Sequence, residues 1–282
     1  MNTSDTLAWL ASAKPAVAAG MLVFLWFLES AIPLVHARQR RLSHNAANLA
    51  LGLINAALGS LLFAGALLYT TEWARANGFG LVRWTQLPPW AAWPVAFLLL
   101  DAWMYAWHRL NHRVSFLWRF HAVHHADREM DASSAVRFHT GEIVLSSLAR
   151  LAVLPLLGIT MPQILVYEAV LLPVILFHHS NVRVPRRLDA LARALIVTPW
   201  MHWVHHSRWQ PETDSNFGSV LSLWDRLFGS FRLRGDPAQI LLGLDEVHEE
   251  RQWRTVRGML LRPFMRRPHE RGPSQPQDSH NA

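Results

Sequence analysis

The chain has 282 residues, of which 51% are hydrophobic and only 17% charged, a more apolar balance than an ordinary soluble domain has. Its 14 tryptophans are typical of proteins whose helices end at bilayer interfaces. Cysteine is absent, which excludes disulfides, thiolate zinc sites and iron–sulfur clusters. The formal net charge of +7 comes without a nucleic-acid-binding motif, so we expect its arginines to set membrane topology and contact anionic lipids, with no nucleic acid as partner.

Three apolar runs in residues 1–107 predict transmembrane helices, because each is about as long as a bilayer is thick. They cover about residues 16–35, 46–69 and 90–107. Lys14 before the first run also fits a signal peptide, but no small-residue cleavage site follows, and Glu29 and Pro33 interrupt its end. The connection 36–45 contains three arginines, so the positive-inside rule places it in the cytoplasm.

Histidines recur in spacings that place them on one face of a helix. The chain has one HxxxH motif and two HxxHH motifs, formed by His108, His112, His121, His124, His125, His202, His205 and His206. Neutral imidazoles suit iron, zinc, copper and nickel, and eight of them exceed what one ion holds. The spacing therefore predicts a two-metal site. The sequence HRLNH lacks the glutamate of HExxH, so a zincin-type peptidase is not supported.

Asp101 lies inside the third apolar run, in helical register with Tyr105, His108 and His112. An aspartate at bilayer depth has a high cost and is a functional candidate by default. Two interpretations stay open: a buried hydrogen bond between helices, or a residue that orients a histidine or its neighbours. We favour the second.

The segment 143–179 is apolar over 37 residues, which as one helix is about 55 Å long and exceeds a bilayer of about 30 Å. Gly158 and Pro162 near its middle predict a break into two shorter segments. The two HxxHH motifs share metals only if they lie on one side of the membrane. We therefore expect an apolar hairpin here, with an even number of crossings.

Further motifs extend the pattern: His139-Thr-Gly-Glu142, His179-Ser-Asn181, Asp214-Ser-Asn-Phe-Gly218 and Trp224-Asp-Arg-Leu-Phe-Gly229. Together with the histidine motifs they resemble the integral-membrane fatty acid hydroxylase/sterol desaturase superfamily, in its bacterial type. The resemblance spans about residues 101–231. Thr140 is a departure, since the family usually has proline there.

The resemblance implies an all-α fold, an integral membrane helical bundle with a cytoplasmic histidine-rich helical cap. Residues 108–231 would form the di-metal catalytic region, followed by a C-terminal cytoplasmic segment, 232–282. Its composition from about residue 262 predicts a disordered tail.

The resemblance also adds candidate site residues. It implies His139 and His179 as further metal ligands, with His179 favoured over His178 because of the following Ser-Asn. Glu142 is expected to accept a histidine N–H and fix its tautomer. His139 has an alternative role as a donor behind the ligands, and His179 a structural one. Asn216 is a candidate for hydrogen bonding near the metals, although caps and turns also use asparagine.

Members of this family are non-haem di-iron oxygenases acting on lipids. The implied function is O₂-dependent hydroxylation of a lipid C–H bond (fatty acyl, sterol or related) at two iron ions, and a desaturase with the same site is the alternative. A histidine-lined metal transporter is the alternative from another class, but it requires ligands spread through the bilayer depth.

Electrons must come from an external donor, a small redox protein with its reductase, because the sequence has no flavin, nicotinamide or haem motif. Arginines of the cytoplasmic face, such as Arg183, Arg186 and Arg187, are candidates for docking an acidic carrier. The expected location is a bacterial inner membrane, with the active site on the cytoplasmic face.

Overall fold

Long apolar segments, interrupted by glycine, proline and short polar loops, fold into helices in the computed structural model. It describes residues 3–36, 40–244 and 250–265, and all regular elements in these ranges are helical. The α-helices are α1 (Thr3–Ala31), α2 (Arg41–Ala76), α3 (Leu81–Trp84), α4 (Pro89–Arg113), α5 (Ser115–His125), α6 (Thr140–Leu157), α7 (Met161–His179), α8 (Arg186–Ala192), α9 (Pro199–His205), α10 (Gln210–Thr213), α11 (Leu223–Leu227), α12 (Glu250–Trp253) and α13 (Val256–Leu261). Short 3-10 helices occupy Ala132–Val136, Pro237–Gln239 and Arg262–Phe264.

Four segments are long and apolar enough to cross a membrane: Ser12–Ala31, Arg41–Trp84, Thr140–Leu157 and Met161–His179. The chain is an integral membrane helical bundle. Helix α4, which contains the third expected span, is less apolar because it carries Asp101 and several tryptophans. It nevertheless packs beside α7, since Leu100 shares a core with Ile164, and the Tyr167 hydroxyl donates to Asp101 Oδ1 at 2.8 Å.

The bundle has two distinct ends. At one end, α6 stops at Gly158 (φ +74°) and α7 begins three residues later. Gly80, at φ +106°, lies directly against this turn, and a Cβ there would approach Pro155 O to 2.3 Å. At the other end an antiparallel bridge joins Pro33 to Val182, and α5 and α9 lie at this same end. We call it the histidine end.

Two buried charged networks hold the histidine end together. Glu29, at the end of α1, accepts from the backbone amides of Ala132 (2.8 Å) and Asn181 (2.9 Å) and from Arg41 (2.8 Å). These bonds tie the end of α1 to the two chain segments that follow α5 and α7. The glutamate in the first apolar run thus faces protein.

The second network surrounds Asp127, directly after α5. Its carboxylate binds His44 at 2.9 Å and Ser134 Oγ at 2.6 Å. Burial acts to raise the pKa of Asp127, but His44 and Arg137 outweigh it and hold the pKa well below its usual range. Arg137 in turn donates to Val123 O at 3.0 Å, inside α5. The helix carrying the first HxxHH motif is therefore fixed from its polar side.

The expected disordered tail falls mostly outside the described residues. Of its first part, Arg262–Phe264 forms a 3-10 helix, and residues 266–282 lie beyond the description.

Candidate metal centre

Nine histidines from α4, α5, α7 and α9 and from the first residue after α9 converge at the histidine end in two adjacent groups. Each histidine contributes one ring nitrogen, and within each group these nitrogens lie within 4.8 Å of one another. The five-histidine group consists of His108, His112, His121, His125 and His205. The four-histidine group consists of His124, His179, His202 and His206.

Each HxxHH motif divides its side chains between the two groups. On α5, His121 and His125 belong to the five-histidine group and His124 to the four-histidine group. The second motif is reversed, with His202 and His206 in the four-histidine group and His205 in the five-histidine group. Residues i and i+4 share a helical face, and the third histidine points to its side. One short motif thereby contributes to two neighbouring sites, and the stacked rings of His125 and His206, 4.4 Å apart, join them.

Ring nitrogens approach closely within the groups. Nε2 of His108 lies 2.9 Å from Nε2 of His205, and Nε2 of His179 lies 2.9 Å from that of His202 and 3.1 Å from that of His124. Imidazole nitrogens bind transition metals at about 2.0–2.1 Å, so nitrogens that share an ion come within about 3–3.5 Å of each other. The separations fit ligands around a common ion.

Many ring nitrogens are also buried without a hydrogen-bond partner in the described chain. These are Nδ1 and Nε2 of His112 and His125, Nε2 of His121, and Nδ1 of His124, His202 and His206. An unsatisfied buried polar atom is costly, and a bound metal would relieve that cost at Nε2 of His121 and at one nitrogen each of His112 and His125. Because both groups contain only histidine among the described residues, they suit iron, zinc, copper or nickel rather than magnesium or calcium.

Four of the rings have their other nitrogen fixed by an acceptor. Nδ1 of His121 lies 2.9 Å from Glu142 Oε1, as expected for Glu142. The backbone carbonyls of Phe217, Ser215 and Ile175 lie 2.9, 2.6 and 2.7 Å from Nδ1 of His108, His205 and His179, respectively. With the proton on Nδ1, each Nε2 presents a lone pair toward its group. The sequence did not predict the roles of the Phe217 and Ser215 carbonyls, because every residue type has a backbone carbonyl.

The environment keeps these imidazoles neutral. Burial lowers the pKa of His124, His125, His202 and His206 well below the usual value, and neighbouring imidazoles lower it further. Burial also lowers the pKa of His205 to about 3, against the opposing effect of its hydrogen bond to the Ser215 carbonyl. Neutral rings are the form that binds metal.

Three other predicted site residues lie apart from the groups. His139 Nδ1 accepts from Gly141 N at 2.8 Å as the N-cap of α6, and its Nε2 lies 3.0 Å from Leu260 O, so both nitrogens are occupied. Asn216, at φ +51°, bonds to Met201 O (2.9 Å) and to both backbone atoms of Arg232, which shapes the loop between the Ser215 and Phe217 carbonyls.

Asp101 contacts no histidine. Its carboxylate accepts from Tyr167, from the amides of Val220 (3.2 Å) and Leu221 (3.0 Å), and from Trp224 Nε1 (2.8 Å). These contacts match the buried hydrogen bond between elements. The loop that Asp101 holds through Val220 and Leu221 also carries Phe217, whose carbonyl binds His108.

His178 also lies beside the centre, although the sequence favoured its neighbour. Its ring stacks on His202 at 4.0 Å with an interplanar angle of 13°, and neither of its nitrogens has a hydrogen-bond partner in the described chain. Phe138 stacks similarly on His124, at 4.4 Å. Flat packing of this kind restricts ring rotation and leaves no sequence signature of its own.

Comparison with known proteins gives the family. The model of the family described as fatty acid hydroxylase matches residues 93–230, which include both HxxHH motifs. The chain belongs to the fatty acid hydroxylase/sterol desaturase superfamily. Its relatives include an ornithine lipid hydroxylase of Rhizobium tropici, 32% identical over 158 residues, which are 54% of this chain and 47% of the relative.

Two animal enzymes are also similar. Human alkylglycerol monooxygenase is 29% identical over 230 residues, 79% of this chain and 46% of that protein. Rat cholesterol 25-hydroxylase is 27% identical over 169 residues, 57% of this chain and 54% of that protein. The chain thus spans about half the length of these relatives of the superfamily. No solved structure matches.

The two placements of His124 and His139 predict different effects of substitution. His124→Ala should weaken metal binding by more than about 100-fold, since even residues behind a ligand contribute about 10–100-fold. His139→Ala should keep the metal and lose about 1 kcal/mol of stability with the helix cap. Metal per chain in purified protein and thermal unfolding in detergent measure the two. Equal metal loss in both variants would contradict the separation of His139 from the groups.

Acid should destabilise the metal-free protein. Unfolded histidines have a pKa near 6.5, whereas the buried rings stay neutral, His205 down to about pH 3. Below pH 6.5 the unfolded chain therefore binds protons that the folded chain does not, which favours unfolding by about 1.4 kcal/mol per pH unit for each such histidine.

We expect the unfolding temperature of chelator-treated protein to be constant above pH 7 and to fall steeply from about pH 6.5 to 4. Metal-loaded protein should hold its unfolding temperature to lower pH, because bound metal opposes protonation. An unfolding temperature that is unchanged down to pH 4 in the metal-free protein would argue against the lowered pKa of His124, His125, His202, His205 and His206.

Proposed function

We propose that this chain is a membrane-bound lipid hydroxylase that uses O₂ and two iron ions to oxidise a C–H bond. The observation that carries the proposal is the pair of adjacent all-histidine groups at one end of a membrane bundle. The relatives support it, because their names describe hydroxylation of an ornithine lipid and of cholesterol and oxygenation of alkylglycerols.

The two groups would each hold one iron. Bound iron would supply the oxidising power that attack on an unactivated C–H bond requires. The protein's own contribution is to present neutral nitrogens in fixed orientations, through Glu142 and the backbone carbonyls of Phe217, Ser215 and Ile175. Burial of the rings excludes water, and the absence of cysteine removes the most easily oxidised side chain.

The electrons would come from an external redox protein and its reductase. Arginines follow the second HxxHH motif: Arg208 comes two residues after His206, and Arg234 pairs with Glu212, both side chains being partly exposed. An acidic carrier would be attracted to such positive charge. A positively charged histidine end also fits the cytoplasmic side of a bacterial inner membrane under the positive-inside rule.

The arrangement favours an oxygenase over a metal transporter. A transport path needs ligands at successive depths of the bilayer. Here the nine histidines of the two groups gather at one end. Polar residues deeper in the bundle pair within the protein: Asp101 with Tyr167 and the Val220 amide, and Glu168 with Arg150 and Lys14.

The activity test uses purified protein loaded with Fe(II), a reductant or redox-protein pair, a membrane lipid extract and isotopically heavy O₂. We expect two irons per chain and a lipid product that has gained one labelled oxygen atom. The His124→Ala variant is the inactive control. A lipid that has lost two hydrogens and gained no oxygen would identify a desaturase. Uptake of metal into vesicles without lipid oxidation would identify a transporter.

Topology is tested with reporters. A reporter after His36 and a second at the C-terminus should both lie in the cytoplasm, and one at the N-terminus should lie outside, because α1 crosses the membrane once before the histidine end. Opposite sides for the first two reporters would contradict an even number of crossings by α6 and α7.

A further inference from the structure

A row of leucines on and after α8 lies exposed next to the metal centre. Leu188 and Leu191 stand on one face of α8, and Leu195 continues that face at the i+7 position. Their exposures are 60%, 74% and 66%. Large apolar side chains repeated at helical spacing normally face a partner.

A second exposed apolar set adjoins the first. Leu223, Leu227 and Phe228, on and after α11, are 47%, 63% and 51% exposed. The two segments are joined by backbone hydrogen bonds: Val197 N donates to Val220 O at 2.9 Å and Ser222 N donates to Leu195 O at 3.1 Å. We call the combined exposed apolar face of residues 186–197 and 219–228 the leucine surface.

The leucine surface lies at the depth of the membrane-crossing helices. Asp101 Oδ2 accepts from Leu221 N and Trp224 Nε1, and Asp101 Oδ1 accepts from Tyr167 of α7. Tyr167 is twelve residues before His179, which places it about 18 Å along the helix from the histidine end. Val220 shares the core of Leu100, Leu154 and Ile164. The segment therefore reaches down beside α4 into the thickness of the bundle.

The backbone in this segment is satisfied by buried carboxylates. Asp101 takes the amides of Val220 and Leu221, and Asp225 takes those of Phe217 (2.7 Å) and Gly218 (2.9 Å). Phe217, Gly218 and Val220 are buried, so water does not reach their amides. Irregular backbone at membrane depth is tolerated only where protein groups satisfy it, and two fully buried aspartates do so here.

Arginines border the leucine surface. Arg186 donates to Gly235 O and stacks over Trp200, Arg193 pairs with Asp189, and Arg226 donates to Arg193 O. Arginine stems lie along apolar surface while their charged ends stay at the level of the headgroups, where anionic lipids attract them.

We propose that the leucine surface inserts into the hydrocarbon of the bilayer leaflet at the histidine end, with lipid acyl chains as its partner. The histidine end is then partly embedded in the membrane. The loop that orients His108 through the Phe217 carbonyl adjoins acyl chains directly, and the arginines along this edge contact headgroups. The proposal concerns the lipid contact alone and holds whichever metal or reaction the centre has.

The absence of cysteine permits a direct test. Leu191→Cys and Leu227→Cys are placed singly in the full chain, purified and put into nanodiscs of phosphatidylcholine and phosphatidylglycerol. Leu62→Cys on α2, 61% exposed in the middle of a candidate span, is the lipid control. Gln239→Cys is the water control, since Gln239 is exposed in the 3-10 helix Pro237–Gln239, which contacts α9 at the histidine end. Metal content and elution volume establish that each variant is folded.

Two readouts report the surroundings of each thiol. A bimane label at positions 191 and 227 should be quenched by doxyl-labelled lipid as strongly as at 62, and far more than at 239. A water-soluble maleimide should react with the unlabelled thiols at least about tenfold more slowly than at 239, because the reaction needs thiolate and an apolar surrounding raises the cysteine pKa.

Fast maleimide reaction at both 191 and 227, matching 239, with no lipid quenching would overturn the proposal, because the surface would face water. Slow reaction without lipid quenching at both positions would also overturn it, because another protein surface would then cover the leucines. The two positions lie on separate segments, so a local disturbance at one leaves the other informative.

Discussion

Burying nine imidazoles in one place is the constraint on which the rest of the structure depends. Each ring has one N–H and one lone pair, and inside protein neither is tolerated without a partner. Four of the rings have an acceptor for their Nδ1–H, which is Glu142 or the carbonyl of Phe217, Ser215 or Ile175. The Nε2 lone pairs of these rings then point toward the other rings of their group. Two groups of converging nitrogens, each able to hold a metal ion, follow from that geometry.

The same constraint explains why the surrounding loops are so rich in buried charge. A loop whose carbonyls orient histidines must itself be held rigidly, and backbone groups beside a membrane lack water to satisfy them. Carboxylates take that role at three points: Glu29 binds the amides of Ala132 and Asn181, Asp101 binds those of Val220 and Leu221, and Asp225 binds those of Phe217 and Gly218. Acidic residues in apolar sequence are thus the means by which irregular segments lie against the bundle.

The proposed insertion of the leucine surface into the leaflet would bring the histidine end close to lipid acyl chains. An enzyme acting on a lipid in place must bring its centre to the acyl chain, since lifting the chain into water costs about 0.8 kcal/mol per CH₂. A histidine end that reaches down beside α4 shortens that distance. The loop that fixes His108 and His205 would then touch both the metal centre and the membrane.

The sequence by itself determined the helical membrane architecture and most of the site. Length and hydropathy set the apolar helices, glycine at 158 set the break between α6 and α7, and the spacing of the histidines required shared helical faces. These are local properties, governed by helical periodicity and segment length, so they can be predicted without knowledge of any tertiary contact. The resemblance to the family, and not periodicity, named Glu142 as a partner for a histidine.

Only the tertiary structure decided which group or segment each predicted site residue contacts. It divided each HxxHH motif between two groups, used His139 as a helix cap, brought His178 against His202, and turned Asp101 toward backbone amides. Whether a histidine faces a metal group or a helix end depends on which distant segment packs over it. A backbone carbonyl that orients a ring leaves no mark in the sequence, because every residue type has one. Those choices rest on contacts between residues up to 123 positions apart, which periodicity does not encode.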